Sequence, residues 1–145
     1  MKHALLSPSS AHRWVACPPS ALLNKKYEDV PSTFAQEGSD AHTLAQYKLE
    51  KLLGLNTNDP TEDLNFYDEE MNDHAESYAT FVLEQLEKAK ETCTDPQILI
   101  EQRLDFSSYV PEGYGHVDCL IIADGTITVI DYKYGLGIIV SAERN

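Results

Sequence analysis

No apolar run in the 145 residues approaches the ~20 that a membrane span needs, and the opening Met-Lys-His-Ala-Leu-Leu-Ser-Pro lacks the apolar core of a signal peptide. Both absences point to a cytoplasmic protein with no membrane partner. Cysteine is equally scarce. Cys17, Cys93 and Cys119 are odd in number and far apart, which argues against a disulfide framework. Structural zinc needs four Cys/His ligands in recognisable pairs, and the sequence has no such set. It has neither internal repeats nor a low-complexity tract. Positive charge is the remaining shortage: 11 Lys and Arg stand against 24 Asp and Glu, a net charge of −13. That balance counts against tight nonspecific DNA binding. The acidity is uneven. Residues 1–55 carry six cations against five carboxylates, residues 56–95 two against twelve, and residues 96–145 three against seven.

What is present is enough for one domain, 1–145, with 42% hydrophobic residues to build a core. Ser7-Pro8-Ser9-Ser10 opens a helix through Trp14 and Val15, and Pro18-Pro19 ends it. Ser20 is the expected cap of a second short helix through Leu23. Residues 35–54 read as a helix with Ala41, Leu44, Ala45, Leu49, Leu52 and Leu53 inward and Gly54 at its end. Residues 68–92 read as a long acidic helix with Met71, Ala75, Tyr78, Phe81, Val82, Leu86 and Ala89 inward. A strand starts at Ile98 and runs to about Leu104. A loop spans 107–114, then comes a hairpin, then a bend at Gly135 and Gly137. The fold class is α/β: N-terminal helices, then a three-stranded, mainly antiparallel sheet. The chain stops at Ser-Ala-Glu-Arg-Asn with no closing element, so an incomplete domain is expected.

The hairpin carries the chemistry. Asp124-Gly125 is a strong two-residue turn signal. It pairs Ala123 with Thr126, so partner numbers sum to 249 and Asp118 falls opposite Asp131. Facing carboxylates destabilise a sheet unless a cation lies between them. Ile122, Ile127, Leu120 and Val129 share that face, followed outward by Asp118, Asp131, His116 and Lys133. The other face carries Val117, Cys119, Ile121, Thr128, Ile130 and Tyr132, so helices are expected on both sides. Carboxylate oxygens suit Mg²⁺ or Mn²⁺. An ammonium at Lys133 would hold a water or stabilise charge on a phosphate. Taken alone, Asp131-x-Lys133 is more readily a surface ion pair than a catalytic motif; its register with Asp118, flanked by core residues, is what shifts the balance. Glu101 follows three apolar residues on the first strand and is a weaker candidate for an outer role. His42 lies inside the 35–54 helix, where a lone histidine is more often structural than a ligand. His116 is placed beside Lys133, and Asp124 is only a turn residue.

Gly115-x-x-Asp118, Asp131-x-Lys133 and a helical His42 after Gly38 together resemble the PD-(D/E)XK nuclease superfamily, closest to its RecB-type and CRISPR-adaptation exonuclease branch. Ser7-Pro8-Ser9-Ser10 with Trp14 and Cys17-Pro18 is similar to the start of that branch. The resemblance covers nearly all of the chain, and includes phage- and prophage-encoded members with no assigned role. It implies a restriction-endonuclease-like core, His42, Asp118 and Asp131 as metal ligands, and Lys133 as catalytic. It further implies a Mg²⁺- or Mn²⁺-dependent deoxyribonuclease, an exonuclease acting in phage DNA processing or recombination, with DNA and a recombination protein as partners. Some relatives hold an iron–sulfur cluster on one early and three late cysteines. Cys17 matches the early position but the late trio is missing, so no cluster is expected. The alternatives are a non-catalytic acidic protein-binding module on the same fold, and a hydrolase of small phosphate esters.

Overall fold

A computed structural model describes residues 4–27, 30 and 32–135. After a 3-10 turn at Pro8–Ser10, two short helices follow, α1 (Ala11–Ala16) and α2 (Pro19–Asn24). Trp14 fixes the entry by donating its indole N–H to the Ser7 carbonyl at 3.0 Å. Ser20 does not cap α2. Pro18 occupies the cap position and Pro19 the first turn, where a missing N–H costs nothing. The Ser20 hydroxyl is instead buried without a partner among the described residues.

Two long helices form the core. Helix α3 (Thr33–Leu52) starts at Ser32, whose Oγ accepts from the Ala35 N–H, and ends before Gly54, which adopts φ +72°. Helix α4 (Glu69–Lys90) starts at Asp68, whose carboxylate accepts from the Met71 N–H at 2.7 Å. Glu69 and Glu70 in its first turn and Lys88 and Lys90 in its last complement the helix dipole. The expected stripes pack against each other through Leu44, Leu49, Met71 and Val82, all fully buried. Each such side chain contributes ~1.5–3 kcal/mol of transfer free energy. Leu52 and Phe81, expected inward, are exposed, whereas Tyr47 and Ala79 join the core. The connection between the helices is pinned by Asp40, which accepts from the N–H groups of Asn65 and Phe66 at 2.7 and 3.0 Å.

The sheet has the order β1 (Gln97–Asp105), β2 (Tyr114–Ala123), β3 (Thr126–Ile130), antiparallel throughout. The α/β arrangement therefore matches the expected order of helices followed by three strands. The hairpin register is the one its turn dictates, Ala123 with Thr126 and Cys119 with Ile130, and Gly125 supplies the positive φ, +71°. Cys119, Ile121, Ile130 and Tyr132 close the core against the helices. The opposite face departs from expectation. Leu120 is buried, but Ile122, Ile127 and Val129 are 36%, 65% and 62% exposed. Among the described residues, the long helices cover one face only. Gly135 does bend the chain, at φ +105°, while Gly137 and the terminal Ser-Ala-Glu-Arg-Asn lie outside the described residues. No helix among the described residues is long and apolar enough to cross a membrane.

Candidate metal centre

His42 stands at the margin of the buried stripe of α3, beside Ala41 and Ala45. Its ring meets the edge of Tyr132 with centroids 5.4 Å apart. That packing turns the imidazole toward the sheet, where Nδ1 lies 3.3 Å from Oδ1 of Asp118. The second oxygen of Asp118 accepts the Tyr132 backbone N–H at 2.6 Å. One carboxylate therefore ties α3, β2 and the chain leaving β3.

Glu101 completes the group. It lies on β1 between Ile100, paired with Cys119, and Gln102, paired with Val117, and so falls opposite Asp118. Glu101 itself makes no ladder pair, because its φ is +49°. A non-glycine residue in this region is uncommon and carries strain of ~1–2 kcal/mol. His42, Glu101 and Asp118 each offer a ligand atom within 4.8 Å of the other two, all from half-buried side chains. An imidazole and two carboxylates are a donor set for a hard or borderline divalent ion, with coordination positions left for water and substrate.

The electrostatics follow from this crowding. For His42, the hydrogen bond it donates to Asp118 outweighs burial, and the charges of Asp118 and Glu101 add to it. The imidazole pKa is raised above its ordinary 6.5 although Lys133 opposes the shift. Burial pushes the Asp118 carboxyl up, but the His42 and Tyr132 hydrogen bonds and the charges of His42 and Lys133 prevail. Its pKa ends below the usual carboxylate value. Glu101 is raised, first by burial and then by the Asp118 charge, with His42 opposing. Burial also pushes Tyr132 up to about 12 and Cys119 to about 11, so both stay neutral beside the cluster.

Of the expected ligands, His42 and Asp118 come together, and the third group within 4.8 Å of both is Glu101. The β3 ladder ends at Ile130, and the next backbone N–H beyond Asp131 is spent on the Asp118 carboxylate. Asp131 instead pairs with Lys133 at 2.7 Å, both well exposed. The surface ion pair is thus present, and it lies close enough to the cluster for the Lys133 charge to act on both His42 and Asp118. The His116 ring contact is with Tyr114, centroids 6.0 Å apart. Asp124 is confined to the turn.

The model of a family described as "Protein of unknown function (DUF2800)" matches residues 3–145, and the chain belongs to that family. No solved structure matches it significantly.

Proposed function

We propose that the chain is the metal-binding domain of a Mg²⁺- or Mn²⁺-dependent DNA nuclease. The observation that carries this reading is the convergence of His42, Glu101 and Asp118 to within 4.8 Å, with the Lys133 ammonium nearby. The motif resemblance to PD-(D/E)XK enzymes supports the choice of phosphodiester over other substrates. A divalent ion held there would polarise a phosphate oxygen and lower the pKa of a bound water. The protein's own part is to orient that ion. Tyr132 N–H fixes the Asp118 carboxylate, and the Tyr132 ring fixes His42. Lys133, held by Asp131, positions the attacking water or neutralises charge on the phosphate. Exonuclease action in the cytoplasm, in phage DNA processing or recombination alongside a protein partner, is the setting the resemblance favours.

The test is cleavage of end-labelled DNA with Mn²⁺. Wild type should cut, and Lys133→Ala should lose activity by at least a hundredfold while still binding the ion. Equal cleavage by the two proteins would remove Lys133 from the mechanism.

A second reading, the acidic protein-binding module, draws on one observation. The exposed side of α4 forms an acidic groove lined by Asp73, Glu76, Thr80, Phe81 and Glu84. Calorimetry separates the two. Absence of a Mn²⁺ site dependent on Asp118 would favour the module.

A further inference from the structure

The described cations divide into two groups. Lys48 pairs with Glu76, Lys90 with Glu87, Arg103 with Asp105 and Lys133 with Asp131, while Lys51 binds the Tyr47 hydroxyl. Arg13, Lys25, Lys26 and Lys88 form no ion pair among the described residues, and the first three of them share one N-terminal segment. Residues 4–27 contain no Asp or Glu at all. Glu28 and Asp29 follow, outside the described residues. Even with them, the first 29 residues carry four cations against two carboxylates in a protein of net charge −13. The same segment exposes Val15 (67%), Leu22 (63%) and Tyr27 (76%), with Trp14 half-buried among them. Basic side chains interleaved with exposed aromatic and apolar ones therefore lie on one arm, and the rest of the surface is acidic.

The turn that leads into the arm lies on the strand that carries Asp118. A Cβ built on Gly115 would lie 3.1 Å from Cγ of Pro8, so the 3-10 turn rests directly on β2. Gly115 is three residues from Asp118, which is about 10 Å along a strand.

We propose that the arm formed by α1, α2 and Tyr27 is a docking surface for single-stranded nucleic acid, which it would hold beside the metal centre. This deepens the nuclease reading and takes the identity of the ligand from it. Arg13, Lys25 and Lys26 meet phosphates. Trp14, Tyr27 and the neighbouring apolar side chains offer surfaces that only unpaired bases can stack on. A membrane surface is the less fitting anionic partner. Each helix has six residues, about 9 Å, too short to present a continuous apolar stripe to a bilayer.

The experiment is fluorescence anisotropy with a labelled oligo-dT in EDTA, so that binding is read without cleavage. Replacing Arg13, Lys25 and Lys26 by alanine should lower the log–log salt slope by about 2, at ~0.7 per phosphate contact, and weaken binding about a hundredfold at 0.1 M salt. Tyr27→Ala should weaken binding several-fold and leave the slope unchanged. Mn²⁺ binding and Mn²⁺-dependent turnover of bis(4-nitrophenyl) phosphate report on the metal centre separately, and neither should change in the triple variant. Oligonucleotide binding that the triple variant loses supports the arm even if no phosphodiester is ever cleaved, in which case the nuclease reading alone fails. An unchanged affinity and slope in the triple variant would overturn the proposal. So would wild-type binding to anionic phospholipid vesicles but not to the oligonucleotide.

Discussion

Glu101 holds an unfavourable backbone angle and an unfavourable charge at the same place, which makes its replacement the sharpest probe of the cluster. Its φ is +49°, and its carboxylate lies within 4.8 Å of Asp118. Two unit charges at 4.8 Å repel by about 1–3 kcal/mol at effective dielectric constants between water and a protein surface. Glu101→Gln removes the repulsion and keeps the backbone strain. Glu101→Gly removes both, adding ~1 kcal/mol once the entropy of a glycine is set against the relief. Without metal, at a pH above the raised His42 pKa, where the imidazole no longer offsets the repulsion, both variants should be more stable than wild type. For a domain of this size, each kcal/mol moves the midpoint by about 3 °C. The Gln variant should therefore melt about 3–9 °C higher in EDTA, and the Gly variant higher again. With 1 mM Mn²⁺ the order should reverse, because the ion stabilises wild type in proportion to its affinity and the variants lack a ligand. Differential scanning fluorimetry with and without Mn²⁺ reads both effects. Variants that melt lower than wild type in EDTA, with an undiminished Mn²⁺ shift, would show that Glu101 is neither strained nor a ligand.

The pH dependence has two parts. Because the folded pKa of His42 is raised, its contribution to apo-protein stability is complete below ~6.5 and is lost as pH rises through the raised value. Because that of Asp118 is lowered, its contribution is present above ~3.9 and is lost on acidification through the depressed value. Urea titrations across pH should therefore show the pair contributing most between about pH 4 and 6.5, and His42→Ala should abolish the loss on the alkaline side. Mn²⁺ competes with the His42 proton, so its affinity by calorimetry should rise with pH through the same raised pKa. Gly113 is a purely structural case. A Cβ there would meet the Phe106 ring and the Val110 carbonyl at 2.7 Å, so Gly113→Ala should cost about 1–3 kcal/mol in urea unfolding without altering the Mn²⁺ affinity per folded molecule.

Local periodicity made most of the architecture readable. The two long helices, the cap at Gly54 and the hairpin register all follow from spacing and turn residues. Ser20 was misleading because two prolines before it already supply a helix start. The apolar outer face of the hairpin suggested a second covering layer, and period-two alternation cannot say whether a partner is present. At the site, strand pairing alone could not show that the ladder stops at Ile130 and that Asp131 pairs with Lys133. The approach of Glu101 to His42 and Asp118 was not legible, because it depends on the β1–β2 register and on a positive φ, and neither leaves a local signature in a run of Ile, Leu and Ile.

The central claim is that this cluster, and not the Asp118–Asp131 pair, holds the ion. Anomalous diffraction from crystals soaked in Mn²⁺ tests it most directly. The account predicts one peak about 2.0–2.3 Å from atoms of His42, Glu101 and Asp118, absent in Asp118→Asn. A peak bridging Asp118 and Asp131 without Glu101, or none at the cluster under saturating Mn²⁺, would contradict it.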